Sequence, residues 1–252
     1  MEIISMDGAN IAGHWLALAG DVHTAMFLGA DEAQRLTDGV TGWSAEAVAV
    51  RLLLRSCRNL QGIIVLCEQR LVVESRTLAR SLLENSFGVA ALQSPESAQT
   101  YLQMLWDDSE ESRRRQGKFI LDKLSSSPGD VAKLRQAIDA MDRSLKTISP
   151  KQVAELGAML PQYLYYQRLS DDSAHATAKS LHHHVTIAAD KSWTFRYVPG
   201  TDGEIAATIQ YALIAALAVG VGVADLVGAV ESKVRLMQLS ERWRALPTAE
   251  SI

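Results

Sequence analysis

Apolar residues recur at helical spacing along most of the chain, and polar clusters interrupt them at regular intervals. Residues 10 to 30 carry the first such pattern, and TDGVTGWS (37–44) then makes a loop. Ser44 is a good N-cap for a helix that begins AEAVAVRLLL and runs to about Arg58. Asn59 and Gly62 mark a turn or kink, and a second long helix follows over roughly 63–92 with no proline in it. Three later helix starts place serine directly before proline: Ser94-Pro95, Ser127-Pro128 and Ser149-Pro150. Pro161 opens another short helix that reaches YYQRLS. After His182, His183 and His184 the period changes. VTIAAD and SWTFRYV are short, β-branched and aromatic runs flanking Asp190-Lys191, which predicts a β-hairpin at about 184–198. VPGTDGE then leads into a last long helix, about 203–243.

These elements predict an all-α fold: an antiparallel helical bundle with a small β-hairpin before the long C-terminal helix. A single domain over 1–252 is expected, because the most loop-like stretch, SSSPGD (125–130), is too short to separate two. Its core bundle falls at about 44–92 and 161–243. The N-terminal helix and an accessory helical region at about 94–160 pack onto that core.

Two features of the last helix each admit two readings. From Ile205 to Ala224 only Thr208 and Gln210 are plainly polar, so the segment is long enough to cross a bilayer. Its many Ala and Gly residues, and the flanking Glu204 and Asp225, favour a buried central helix over a membrane span. Thr208, Ala212, Ala216, Gly220, Ala224, Gly228 and Ser232 also form an i, i+4 row of small residues, a ridge that another helix can approach closely. The ridge serves either packing within the chain or a homodimer seam through Ala212, Ala216, Gly220, Ala224 and Gly228.

Composition narrows the functional classes. With 48% hydrophobic and 21% charged residues the chain has an ordinary globular balance. A net charge of −4 provides no global attraction to nucleic acid, so any such contact needs a local basic patch. Cys57 and Cys67 stand ten apart in a helical stretch and read as core thiols rather than a disulfide or zinc site. The opening MEIISMDGAN lacks a basic region before an apolar signal core, which favours the cytoplasm.

The candidate chemistry is concentrated in two places. Arg168 and His175 stand seven apart in YYQRLSDDSAHATAKSL, so within one helix they share a face. Histidine suits proton transfer near neutral pH, and arginine suits bidentate phosphate binding. With 17 arginines and six histidines, about one such spacing arises by chance, so spacing alone leaves a capped helix start, with Ser170, Asp171 and Asp172 at its head, as the alternative. In VVESRTLARSLLEN, Glu74, Thr77, Arg80 or Ser81, and Glu84 form a polar stripe that lines a cleft or faces solvent. Arg51, Arg55 and Arg58 make a weaker phosphate track, and Arg113–Arg115 follow the acidic DDSEE. Three consecutive histidines point in different directions, which disfavours a shared metal ion, and no cofactor-binding motif is found.

Two blocks carry a resemblance. RNLQGIIVLCEQRLVVESRTLARSLLEN is similar to the long-helix block of an uncharacterised family of bacterial helical proteins. YLYYQRLSDDSAHATAKSL, the hairpin and the Ala-rich helix resemble that family's second block. The blocks cover approximately 50–92 and 163–230. That family in turn looks like a relative of the HEPN superfamily, whose members are helical bundles, often dimers, and in many cases metal-independent ribonucleases of toxin–antitoxin and phage-defence systems. The resemblance implies Arg168 and His175 as the catalytic pair, with Arg80, Glu84, Glu74, Ser170 and Asp171 supporting or binding phosphate. It also implies RNA as substrate, no metal or cofactor, and an antitoxin or neighbouring protein as partner. One departure stands out: active members place a polar residue after the arginine, where this chain has Leu169. The alternative is a non-catalytic bundle that binds a nucleotide, RNA or a partner protein.

Overall fold

The computed structural model describes residues 11–123, 128–142, 144–174, 177–196 and 200–248. Its first helix, α1 (Ile11–Leu36), buries Trp15, Leu18, Ala19, Val22, Ala25, Met26 and Ala30 along one stripe. That spacing of three and four is the face an amphipathic helix gives to a core. α2 (Ala45–Glu68) starts where expected, its first turn capped by the Ser44 hydroxyl accepting from the Ala47 amide at 3.2 Å. It then runs straight through Asn59 and Gly62. The break falls later, at Gln69–Leu71, where Arg70 adopts φ 59° before α3 (Val72–Ala91) begins. Gly62 is therefore a packing glycine: a Cβ there would stand 2.7 Å from Leu78 Cδ1 of α3. A glycine inside a helix costs only about 1 kcal/mol, so close packing outweighs it.

The middle of the chain forms a second layer. α4 (Pro95–Lys123), α5 (Pro128–Asp139) and α6 (Pro150–Leu156) start at the three prolines of the Ser-Pro pairs. α4 is mostly solvated, and Glu111 on it is clamped by Arg114 and Arg115, which holds its carboxyl down at about 2. Each arginine of the Arg113–Arg115 run is thereby paired within its own helix, since Arg113 meets Glu110. α6 presses Val153 and Ala154 onto α3.

α7 (Leu160–Leu169) leads into a π-helical turn, Ser170–Ala174, and then a short helix, α8 (Ala178–His182). The hairpin comes next as β1 (Val185–Ile187) and β2 (Trp193–Phe195), paired antiparallel with Val185 opposite Phe195 and Ile187 opposite Trp193.

The bundle closes around α9 (Asp202–Val227), which packs against α1, α2, α3 and α10 (Val230–Ala245). A reciprocal Thr201–Glu204 capping box starts α9, and Gly228 at φ 74° ends it, the Ala229 amide donating back to the Ala224 carbonyl at 2.8 Å. The single helix expected over 203–243 is thus two helices, because a left-handed glycine reverses the chain. The residues of the small-residue ridge pack largely within the chain. Ala212, Ala216, Gly220 and Ala224 are buried inside the chain, and a Cβ on Gly220 would meet Leu236 of α10 at 2.8 Å. The ridge exists so that α1 and α10 approach α9 closely. Of the most apolar stretch of α9, 67% is buried in protein, as a central core helix requires.

Gly228 supplies a test of this closure. Gly228→Ala forces an L-residue into the left-handed region and is expected to lower stability by about 1–2 kcal/mol, with Gly228→Asn milder, as read by urea denaturation.

Candidate functional site

A charged residue sits in the apolar register of α3. Val72, Ser75, Arg76, Ala79, Leu82 and Leu83 all face inward, and the Arg76 side chain is 1% exposed. Such a cation requires a partner, because leaving it unpaired in the core costs several kcal/mol. The partner is Asp172, 96 residues later, whose carboxylate is 3% exposed and accepts from Arg76 Nη1. Arg76 Nε donates to the Thr208 hydroxyl of α9 at 3.3 Å, and that hydroxyl donates to the Glu204 carbonyl at 2.8 Å. The other Asp172 oxygen lies 3.3 Å from both Lys179 Nζ and His183 Nε2. Burial pushes the Asp172 carboxyl up, but Arg76, His183 and Lys179 outweigh it and hold it below the ordinary carboxylate value.

The π turn is what aims Asp172 inward. A π-helical turn widens the helix and shifts the register of the residues after it. Asp172 is buried as a result, while its neighbour Asp171 stays exposed. The head of a new helix expected at Ser170–Asp172 is not formed there. The capped start comes later, at Thr177, in a reciprocal box with Ser180.

Next along α3, Arg80 continues the i+4 row from Arg76. Arg80 Nη2 donates to Glu84 at 3.1 Å and to the Tyr166 hydroxyl of α7 at 2.9 Å, with its guanidinium 5.0 Å from the Tyr166 ring centre. Burial pushes the Tyr166 hydroxyl up, and the Arg80 hydrogen bond acts against it. Tyr166 also stacks on Tyr163 and meets Phe87 edge-on.

Beside the Arg76–Asp172 pair opens a cleft of about 400 Å³. Arg70, Arg76, His183, His184, Arg196 and Glu204 line it over an apolar wall of Leu71 and Val72. Arg70 is fixed at the rim, donating to the Gly200 carbonyl and to Asp202, each at 2.7 Å. Burial pushes Glu204 up, yet its hydrogen bonds from Thr201 and the charges of Arg76 and Arg196 keep it below its ordinary value.

The structure sorts the residues singled out from the sequence. Arg80 and Glu84 are joined to each other, and Glu74 is exposed at the edge of the cleft. Arg168 is exposed on the last turn of α7. The Ser170 hydroxyl is buried with no hydrogen-bond partner among the described residues. His175 lies outside the described residues. Arg51 donates to the Gly42 carbonyl and sits over Trp43, while Arg55 and Arg58 are exposed. Cys57 and Cys67 are free and buried, and burial pushes the Cys57 thiol up to about 11, which fits core thiols.

Sequence reasoning missed Arg76 as an anchor. The signal was present, since position 76 continues the apolar row from Val72 and leads to Leu83. Nothing local pointed to Asp172 as its partner.

The fold and this buried crossing define an all-helical bundle with a polar, hairpin-flanked cleft on one side. The chain belongs to a family of unknown function, DUF5677, whose model matches residues 46–192, from α2 through the hairpin turn and short of α9. No curated protein matches the chain, and no solved structure does.

The ion pair sets an acid limit. Asp172 contributes its stabilisation fully above its unfolded value near 3.8 and loses it as pH falls through the lower folded value. Asp172→Asn is expected to lower stability at pH 7 by about 3–5 kcal/mol and to flatten the fall of stability below about pH 4. Denaturant melts from pH 2.5 to 7 measure both; parallel curves for wild type and variant would exclude the pair as the source.

Proposed function

We propose that the chain is a HEPN-like, metal-independent endoribonuclease that uses Arg168 and His175. The observation that supports this is the anchoring of the segment between them. Arg168 closes α7, His175 comes after the π turn, and Asp172 in that turn is pinned by a buried salt bridge to α3. π turns recur at functional sites because they shift side chains out of helical register. The same anchoring turns Asp172 inward and neutralises it, which removes one of two carboxylates from the phosphate's neighbourhood. Arg80, on the row beside Arg76, is the candidate helper from α3.

In the proposed reaction an RNA 2′-hydroxyl attacks the adjacent phosphorus and the bond to the 5′-oxygen breaks. His175 takes the 2′ proton and returns one to the leaving oxygen, leaving a cyclic phosphate and a 5′-hydroxyl. Arg168 stabilises the charge that gathers on the phosphate oxygens. On the resemblance to HEPN proteins, such an enzyme would act in the cytoplasm as a toxin or phage-defence effector, held in check by a partner protein. A homodimer, as in many of those proteins, would use a surface other than the buried α9 ridge.

A second reading is a non-catalytic module that binds a nucleotide, RNA or a partner protein. It is favoured by the cleft, which gathers Arg70, His184, Arg196, Glu74 and Glu204 without Arg168.

Incubation of mixed RNA with the protein and a chelator separates the two readings. The wild type is expected to cleave, with His175→Ala and Arg168→Ala each slower by about a hundredfold or more. Cleavage undiminished in His175→Ala would rule out the assigned chemistry. RNA retention without cleavage would establish the binding module instead.

A further inference from the structure

The hairpin presents an apolar face that nothing among the described residues covers. Side chains alternate across a strand, so Val185 and Ile187 of β1 share a face with their partners Phe195 and Trp193 of β2, while Thr186 and Thr194 occupy the other. Phe195 is 83% exposed, Trp193 58% and Ile187 53%. Trp193 and Phe195 meet edge to face with ring centres 5.2 Å apart, so each ring keeps an open surface. A lone two-stranded hairpin is marginally stable in water, and an aromatic face on one is out of place unless something binds there.

The charge around this face selects the occupant. The hairpin and its root, residues 184–196, carry Lys191 and Arg196 against the one anion Asp190, within a chain of net charge −4, whereas Lys179 is engaged by Asp172. Lys191 sits at the hairpin turn with φ 66°. Arg196 and His184 sit at its root, joined through the Arg196 amide and the His184 carbonyl at 2.8 Å, and both line the cleft with Arg70. From tip to root the order is cation, aromatic, aromatic, cation, and the root opens onto the cleft through Arg196 and His184. A second copy of the chain would bring the same surplus of positive charge against itself. A polyanion whose monomers carry flat faces fits both features.

We infer that the hairpin is a platform for single-stranded RNA, with bases stacked on Trp193 and Phe195 and the backbone phosphates led along Arg196 and His184 toward the cleft. Stacking tolerates any base because every base has a π-face, and the flanking cations track the backbone. This rests on the reading of the protein as one that acts on RNA, and it supplies the binding surface that Arg168 and His175 by themselves do not.

The test uses the full chain and a fluorescein-labelled uridine dodecamer bearing 2′-O-methyl groups, which lacks the attacking hydroxyl and reports binding alone. Anisotropy is expected to show Trp193→Leu/Phe195→Leu binding about tenfold or more weakly than wild type, with Trp193→Phe/Phe195→Tyr close to wild type. The leucines keep the face apolar, so a loss reports stacking, and circular dichroism confirms the helical fold. Equal binding by wild type and the leucine variant overturns the inference, as does absence of binding by the wild type. A blue shift of tryptophan emission with phosphatidylserine vesicles, lost in the leucine variant and not reproduced by the RNA, assigns the face to a membrane and overturns it too. Cleavage of natural RNA separates the two claims. A wild type that cleaves, with a leucine variant that binds normally, sinks the platform alone. A wild type that binds through the hairpin without cleaving sinks the ribonuclease alone.

Discussion

The Arg76–Asp172 ion pair is the constraint on which the cleft side of the molecule depends. Among the described residues from Ser170 to Arg196 only Asp172 and Ser180 are buried, and both are polar. The segment therefore has little apolar area with which to hold itself to the bundle, and the hydrophobic term that seats α1 or α9 is nearly missing here. What seats it is charge. Asp172 reaches Arg76, Lys179 and His183, and Arg76 reaches Thr208, so one buried carboxylate ties α3, the π turn, α8 and α9 together. A second latch joins the far end, where Arg70 holds Gly200 and Asp202 and the Gly200 amide returns a bond to the Arg70 carbonyl at 3.0 Å. Two buried charges are costly to desolvate, and the pair is supported because Asp172 is met by Arg76, Lys179 and His183 while Arg76 also donates to Thr208.

The bundle core obeys a different rule. α9 is wrapped by four helices, and small side chains along it set how close they come. A Cβ on Gly222 would meet Val89 of α3 at 2.8 Å, as one on Gly220 would meet Leu236 of α10. Close packing of this kind makes the core rigid, since interiors at crystal-like density have little room to relax. The cleft side is polar and held at few points. Binding and catalytic residues concentrate on exposed segments carried by a rigid scaffold of this kind.

Arg80 occupies the border between these regimes. Half-buried, it binds Glu84 and Tyr166 and faces α7, the helix whose last turn carries Arg168. Membership of a family of unknown function covers α2 to the hairpin turn, so both partners of the ion pair fall within the matched segment, whereas α1, α9 and α10 lie outside it.

Much of the fold was determined by the sequence alone, because the forces that shape those parts are local. Ser44 caps α2, prolines open α4 to α6, and the switch to alternating β-branched and aromatic residues makes the hairpin; each works through neighbours a few positions away. Tertiary structure decided what depends on distant partners. The α2–α3 break moved from Asn59–Gly62 to Gln69–Leu71, where Gly200 and Asp202 engage Arg70 from across the chain. The small-residue ridge was visible, but only the turn at Gly228 showed that α10 and α1 cover it. In the candidate site, the i, i+4 relation of Arg80 and Glu84 could be read from the chain. The partnership of Arg76 with Asp172 could not, because a salt bridge spanning 96 residues leaves no periodic trace in either segment. Local spacing encodes helices, caps and turns; which charge meets which is settled only when the chain has folded.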